Sequence, residues 1–264
     1  MTPRSLSAAE GHTPLLLRRF LADLEDTENT LDVWQLLVAL GRDMDTPFID
    51  FITAASWQDW KKTLFIRTSY DSSWLNEINK DPEIGEWSIF RSHAIDHLTP
   101  VVFGHEFSDL HPKLPASRRA VLETMAGLGL RAGFAVPLRL HAPPQAGIIS
   151  FVGDHDRAEF ERLIAEHGWT MTMAALVGHQ KYMTHFNAEF SERNEITEKQ
   201  RVLLRLIGSG LQDKHIAHEL GISISAVRQR MAALQDKTGL ANRTDLAALA
   251  MSLGIVPDPL NRPG

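Results

Sequence analysis

The stretch GLQDKHIAHELGISISAVRQRM, residues 210–231, contains two segments with helical spacing of apolar residues, separated by Gly221-Ile222-Ser223. Gly221 can adopt the positive φ of a sharp turn, and the Ser223 hydroxyl can accept a hydrogen bond from a free first-turn amide. Two short helices joined by such a turn form a helix-turn-helix unit. Helical patterns at 198–210 and 243–255 flank the stretch, so the sequence predicts a four-helix helix-turn-helix domain over residues 196–264.

The second helix of this unit has two different sides on a wheel of 100° per residue. The predicted buried side consists of four residues: Val227, Met231, Leu234 and Thr238. The opposite side consists of Ser225, Gln229, Ala232 and Asp236, and the cations Arg228, Arg230 and Lys237 lie on its flanks. Such a helix suits a major groove, because short polar side chains face base edges and long cations reach phosphates. The wheel alone leaves a second interpretation open, in which the arginines form an ordinary solvated helix face.

The composition is that of an ordinary globular protein. The chain has 264 residues, 44% hydrophobic and 23% charged, with a formal net charge of -6. It contains no cysteine, which excludes disulfides, thiolate zinc sites and cysteine nucleophiles and fits a reducing compartment. No apolar run approaches the roughly 18–20 residues of a membrane helix, and no signal-peptide core is apparent. We therefore expect a cytoplasmic protein with no membrane association.

Charge and polarity divide the chain. From residue 195 onward there are nine Lys or Arg and seven Asp or Glu, a charge of +2, so the remainder carries -8. The polar segment HFNAEFSERNEI, residues 185–196, lacks an evident helical pattern and predicts a linker. We expect a first domain over residues 1–186, a linker over 187–195 and the helix-turn-helix domain over 196–264.

The first domain mixes helical and strand patterns. Five short apolar or alternating runs, bounded by Gly, Pro or Asp, predict strands: PFIDFITAA, KTLFIRTSY, TPVVFG, AGFAVPLRL and AGIISFVGD. Helical patterns precede, separate and follow these runs, the longest over residues 158–183. The predicted fold class is α+β: an α/β/α sandwich around a mainly antiparallel five-stranded sheet, followed by the four-helix domain.

The region from Ile196 to Ile255 resembles the C-terminal DNA-binding domain of the LuxR family of bacterial transcription factors. The matching positions are Thr197, Gly210, Lys214-His215-Ile216-Ala217, Leu220, Ile222-Ser223, Val227-Arg228, Lys237 and Asn242-Arg243-Thr244. The chain departs from the family at Gln200, where Glu is usual, at Ala226, where Thr is usual, and at Arg230, where His is common. The resemblance implies binding of double-stranded DNA, with contacts from Lys214, Ser225, Arg228, Gln229, Arg230, Lys237, Asn242 and Arg243.

The region 15–185 resembles the autoinducer-binding domain of the quorum-sensing branch of that family. Tyr70 and Trp74, in TSYDSSW, match an aromatic pair of the branch. The stretch GLRAGFAVPLRLHAPPQAGIISF matches a glycine- and proline-marked strand and hairpin through Gly129, Gly133, Pro137 and Gly147. The resemblance implies a pocket for an N-acyl-homoserine lactone. In it, Trp74 donates to the lactone carbonyl, Tyr70 donates to the amide carbonyl, and an apolar wall holds the acyl chain.

The chain also departs from the sensor branch. Ile78 stands where a second tyrosine is usual, and Phe103 where tryptophan is frequent. The aspartate that receives the ligand amide is absent at its register, which leaves Asp81 or Glu86 as the nearby acid. The signal is therefore a lactone, another small apolar molecule, or none. Packing of Tyr70 and Trp74 in the core at the edge of a sheet is the structural alternative.

Other chemical patterns are weaker. His93 and His97 are spaced to hold a divalent metal, but no third ligand is identifiable. No nucleophile and base are paired, so we expect no enzyme, metal or cofactor; an enzyme acting on an acylated small molecule is the remote alternative. We predict a homodimeric regulator on a near-palindromic operator. Dimer contacts are expected from residues 158–183 and 242–253.

Overall fold

The computed structural model describes residues 12–54, 64–72, 93, 97–111, 114–138, 146–253 and 255 of the chain. The chain forms two compact units, Met1–Tyr182 and Met183–Gly264. Within the described ranges, no helix combines the length and apolar character needed to cross a membrane.

The first unit is organised by a five-stranded sheet. Its strands are β1 (Phe48–Ala54), β2 (Leu64–Thr68), β3 (Val101–Gly104), β4 (Ala132–Leu138) and β5 (Ala146–Gly153). Their order across the sheet is β2-β1-β5-β4-β3, and every neighbouring pair is antiparallel. Each strand lies within one of the five predicted runs, so the predicted sheet is confirmed.

The helices of the first unit cover both faces of this sheet. They are α1 (Leu15–Glu25), α2 (Thr30–Asp43), α3 (Ala116–Gly127) and α4 (Arg157–Arg193), with a 3₁₀ helix at His105–Leu110. The Phe51 ring on β1 packs edge-on against the rings of His179 and Tyr182 on α4. On the other face, Val121 and Leu122 of α3 belong to one buried cluster with residues of the sheet. Central strands covered on both faces are apolar at almost every position, as β4 and β5 are.

Residues 187–193 of the expected linker are helical, because α4 continues through Arg193. Phe186 and Phe190, one turn apart, pack with ring centroids 5.9 Å apart, and Arg193 pairs with Glu189 across the next turn. Two apolar residues are too few to give a visible helical period, yet they suffice to continue an existing helix. The two compact units divide after Tyr182, within this helix.

The second unit contains the four predicted helices: α5 (Glu198–Gly208), α6 (Asp213–Leu220), α7 (Ile224–Thr238) and α8 (Arg243–Ser252). Its core includes Leu203, Leu204, Ile207, Ile216, Val227, Leu234, Leu246 and Ala250. Leu204 is fully buried, whereas Leu206 is only half buried. Gln200 closes a capping box, since its side chain accepts from Thr197 N at 3.0 Å and Thr197 Oγ1 accepts from Gln200 N at 3.4 Å. Glutamine in place of glutamate therefore keeps this cap.

Gly104, at the end of β3, has a backbone that only glycine adopts readily. Its φ is +109°, and an added Cβ would lie 2.4 Å from the carbonyl oxygen of Arg131. We expect Gly104→Ala to destabilise the first unit by about 2 kcal/mol or more, measured by urea unfolding. Gly127→Ala is the matched control, because a Cβ there meets no atom within 4 Å and alanine favours the helix. Equal stability of the two variants would contradict this account of Gly104.

Candidate signal-binding and DNA-binding sites

The start of α7 is fixed by the turn that precedes it. Gly221 ends α6 in the left-handed conformation, with φ of 61°, and Ile222 N donates to Ala217 O at 3.0 Å. Ser223 then caps α7, because its Oγ accepts from Ala226 N at 3.2 Å. These bonds satisfy the backbone groups of the turn and aim the first residues of α7 outward.

The exposure of α7 agrees with the predicted wheel. Val227 and Leu234 are fully buried, and Met231 packs beside them. The residues predicted to face outward are all exposed: Ser225, Gln229, Ala232 and Asp236. The helix therefore presents a polar face of short side chains along its length. We call this face, with Arg228 and Arg230 at its sides, the recognition surface.

Asp213, in the first turn of α6, holds two of the predicted DNA-contacting arginines. Its Oδ2 is 3.4 Å from Arg228 Nε, and its Oδ1 is 2.7 Å from Arg243 Nη1. Arg228 remains 72% exposed, so this contact leaves most of its guanidinium available to a phosphate. Arg243 is more enclosed and also donates to the carbonyl oxygen of Leu211. Sequence reasoning missed Asp213, although an acid in a first helical turn was a visible signal.

Two other predicted contacts already have roles within the unit. Lys237 Nζ donates to the carbonyl oxygen of Glu195 at 2.6 Å. Asn242 Oδ1 accepts from Asp245 N at 3.0 Å at the start of α8. Lys214, in contrast, is exposed in the first turn of α6. The donors of Lys237 and Arg243 are thus partly engaged, and Ser225 Oγ lies 2.9 Å from Ser223 Oγ, whereas Lys214 and Gln229 face solvent.

One face of the sheet in the first unit carries a central row with three polar residues, the polar row, between two apolar rows. Direct antiparallel pairing places five residues side by side across the sheet: Thr68, Asp50, Ser150, Ala135 and Val101. The flanking rows are Ile66, Ile52, Ile148 and Pro137 on one side and Phe48, Val152, Gly133 and Phe103 on the other. Alternate residues of a strand share a face, so the three rows form one surface, which we call the sensor face. Its buried cluster includes three residues of α3.

Asp50 is the one acid in these three rows. The residue is 9% exposed, and no residue in the described part of the chain gives its Oδ1 a hydrogen-bond partner. Burial raises the pKa of the Asp50 carboxyl from 3.8 to about 6, and a hydrogen bond from Tyr70 opposes part of this rise. Burial, and then the charge and hydrogen bond of Asp50, raise the pKa of the Tyr70 hydroxyl above its ordinary value. The two side chains therefore form one buried acidic pair.

The structure places some of the predicted signal-binding residues on this face. Tyr70 is half buried and packs edge-on against Phe48, with ring centroids 5.7 Å apart. Phe103 is buried, and its ring lies over Gly133, where an added Cβ would be 2.4 Å from Phe103 Cζ. Trp74, Asp81 and Glu86 lie outside the described residues.

Sequence reasoning did not single out Asp50. A signal was present in the first strand pattern, PFIDFITAA, where an acid interrupts an apolar run and shares a face with Phe48 and Ile52. Its polar neighbour Ser150 is 100 residues away in the sequence and becomes visible only through the strand register.

A concave region of the described structure is polar, and its lining residues lie outside the sensor face. It has a volume of about 400 Å³, and its charged lining includes Asp43, Asp45, Glu159, Arg162 and Glu166. His155 Nε2 lies 2.7 Å from the carbonyl oxygen of Asp45 at its edge. Such a lining does not suit an acyl chain. Elsewhere, His93 and His97 stack at 4.5 Å, and the described residues contain no group of three metal-ligating side chains.

Comparison with known proteins assigns both units. The family of autoinducer binding domains matches residues 29–182, and the luxR family of bacterial regulatory proteins matches residues 194–250. The transcriptional regulatory protein YdfI of Bacillus subtilis (strain 168) is 39% identical over 67 residues, which cover 25% of this chain and 32% of YdfI. The chain thus spans about a third of the length of that curated relative.

Two solved structures resemble the whole fold. Escherichia coli SdiA gives a TM-score of 0.54 at 14% identity, with 92% of this chain and 98% of SdiA covered. SdiA in complex with octanoyl-rac-glycerol gives 0.55 at 13% identity, with coverage of 96% and 99%. At these identities the likeness establishes the fold.

The buried Asp50 carboxyl makes stability depend on pH. Its pKa is raised on folding, so its contribution to stability is fully present below the unfolded value of 3.8 and is lost as pH rises through about 6. Between pH 5 and 7.5 we expect the unfolding free energy of the wild type to fall by about 1–1.5 kcal/mol. Asp50→Asn should lack this decrease, because it has no carboxyl to ionise. Urea unfolding at several pH values measures this difference.

The control for this pH series is Asp154→Asn, which changes an exposed acid just beyond β5. We expect its unfolding free energy to follow the wild-type pH profile. Parallel profiles for wild type and Asp50→Asn would contradict the buried, raised pKa of Asp50.

Proposed function

Since the chain belongs to the LuxR family of bacterial regulatory proteins that carry an autoinducer binding domain, we propose that it regulates transcription in response to a small molecule bound on the sensor face. The recognition surface binds double-stranded DNA. The protein acts in the cytoplasm and returns its signal molecule chemically unchanged, as a sensor and not an enzyme.

The observation that carries the DNA-binding half is the arrangement of α7. Its apolar side is fully used by the core, and its other side presents Ser225 and Gln229 between Arg228 and Arg230. Short polar side chains suit base edges, and the flanking cations suit the phosphates on either wall of a major groove. The exposed Lys214 on α6 adds a further cation for the backbone.

We expect Arg228→Ala to weaken operator binding roughly tenfold, because a charge-assisted contact to phosphate is lost. The dependence of log K on log salt should become less steep by about 0.9 for each such contact, since fewer counterions are released. Arg201→Ala is the control, as Arg201 is an exposed arginine of the same unit that lies on α5, outside the recognition surface. An unchanged salt slope for Arg228→Ala would remove Arg228 from the phosphate contacts.

A homodimer on a near-palindromic operator completes the DNA-binding proposal. Two-fold related recognition helices read two half-sites about one helical turn apart. In support, Trp169 and Leu176 of α4 are 62% and 41% exposed and lie seven residues apart, on the same side of the helix. An exposed tryptophan of this kind is typical of an interface anchor. A purely monomeric mass in sedimentation at DNA-binding concentrations would contradict the dimer.

An N-acyl-homoserine lactone is the proposed signal. The apolar rows of the sensor face suit an acyl chain, and Tyr70 and Trp74 supply donors for its polar head. Phe103 closes the β3 side of the face. Asp81 and Glu86 are the acids that the resemblance places near the head group.

A second candidate signal is a monoacylglycerol such as octanoylglycerol. The observation that favours it is the bound octanoyl-rac-glycerol in the SdiA complex, a protein that shares this fold. Its acyl chain needs the same apolar rows, while its hydroxyl groups replace the amide of a lactone. A regulator that needs no signal is the remaining alternative.

The experiment that tests signal binding is a thermal-unfolding series with lactones of graded acyl length, with octanoylglycerol in parallel. All six tryptophans lie in residues 34–169, so their fluorescence reports the first unit. At a hundredfold excess over Kd, ligand adds about 2.7 kcal/mol of stability, which should raise Tm by roughly 5–10 °C.

A dose-dependent rise for one acyl length supports the lactone, and a rise with octanoylglycerol alone supports the second candidate. If neither compound raises Tm, and the protein binds its operator without additive, both proposed signals are contradicted. The remaining alternative is then a regulator that needs neither compound.

A further inference from the structure

Within the described residues, the buried acid of the sensor face has one acceptor oxygen without a hydrogen-bond partner. Asp50 is nine-tenths buried, and among the described residues its Oδ1 receives no hydrogen bond. The neighbours above and below it on β1 are Phe48 and Ile52, so the carboxyl emerges from an apolar surface. Burying this oxygen is costly, because Oδ1 has lost water without gaining a donor of its own.

Among the described residues, the neighbours of Asp50 across the sheet supply no hydrogen bond to its Oδ1. Thr68, its neighbour on β2, donates its hydroxyl proton to Tyr70 O at 2.8 Å, and its Oγ1 lies 2.9 Å from Ser72 Oγ. Ser150, its neighbour on β5, is 5% exposed and stands beside it on the same face. Tyr70 supplies the one hydrogen bond that acts on the carboxyl within the described residues.

Two other ionisable side chains near this face have buried groups within the described residues, Arg118 and His111. On α3, Arg118 shares a helix side with the buried Val121 and Leu122, and burial lowers the pKa of its guanidinium. His111 follows the 3₁₀ helix, and its Nε2 is buried. Neither residue supplies a hydrogen bond to Asp50 among the described contacts.

We propose that Asp50 is the polar anchor of the sensor face and accepts a hydrogen bond from an N–H or O–H group of an uncharged amphiphilic ligand, with Ser150 beside it as a secondary polar contact. The acyl part of the ligand lies along the apolar rows on either side. This inference rests on the proposed signal-binding function and adds the chemical group that the ligand must carry. An anionic ligand is disfavoured, because it would place a second negative charge beside a buried carboxylate.

The proposal also fixes the direction of the pH dependence. A donor binds the ionised carboxylate more strongly than the neutral acid, so affinity should rise as pH increases through about 6 and then level off. If the ligand instead presented an acceptor to the protonated acid, affinity would fall over the same range.

The test uses the full-length protein and two pairs of probes that differ only in the donor. One pair is N-octanoyl-homoserine lactone and its ester analogue, in which oxygen replaces the amide N–H. The other is octanoylglycerol and its dimethyl ether. Kd is measured by calorimetry or tryptophan fluorescence at pH 5.5, 6.5 and 7.5.

For the wild type at pH 7.5, we expect the donor-bearing member of at least one pair to bind tenfold to a hundredfold more tightly. Asp50→Asn should reduce this preference to a few-fold and remove the pH dependence, while leaving the donor-free probe unchanged. The variant is isosteric and removes a buried charge, so it should fold. Ser150→Ala is the matched control in the same row, with an expected loss of only a few-fold at every pH.

The outcomes separate this inference from the function on which it rests. Binding of the donor-bearing probes with the same preference in Asp50→Asn overturns the anchor and leaves the signal-binding function intact. An affinity that falls with rising pH overturns the acceptor role of Asp50. Failure of both donor-bearing probes to bind the wild type overturns the anchor together with the proposed signals.

Discussion

The pairing of β1 with β5 is the constraint on which the fold of the first unit depends. The register Asp50 to Ser150 determines which residues face α3 and which face α2 and α4. A shift of β1 by one residue relative to β5 would move Phe51 to the sensor face and Asp50 into the opposite core. Both strands are covered on both faces, so such a shift would bury a carboxylate among apolar side chains without the hydroxyl of Tyr70. The polar row is thus compatible with one register only.

The fold was predictable because its strands carry local signals. Gly, Pro or Asp residues bound each apolar run, and the alternation in β1 shows which side chains share a face. The helices of the second unit were equally clear, since Thr197, Gly221 and Ser223 mark their ends and the wheel of α7 separates a buried from an exposed side. These features need only neighbours within a few residues.

The parts that could not be predicted depend on contacts between distant residues. Asp50 gains its significance from Ser150 and Tyr70, which only strand pairing brings near. Asp213 meets Arg243 across 30 residues of sequence. The continuation of α4 past the predicted boundary rests on Phe186 and Phe190, a pair too sparse to be distinguished from a polar linker. The roles of Trp74, Asp81 and Glu86 remain predictions from resemblance.

The position of Asp213 has a consequence for how the protein searches DNA. In the structure without DNA, its carboxylate forms ion pairs with Arg228 and Arg243. It therefore cancels some of the positive electrostatic field that would attract any duplex. In the proposed complex, docking on phosphate would exchange one anion for another at Arg228, and the net electrostatic gain would be smaller than for a free arginine. Attraction to random sequence is weakened more than contacts to base edges, which Asp213 does not touch. An acid placed in this way would lower the affinity for non-specific DNA more than the affinity for the operator, and so would raise the ratio between the two.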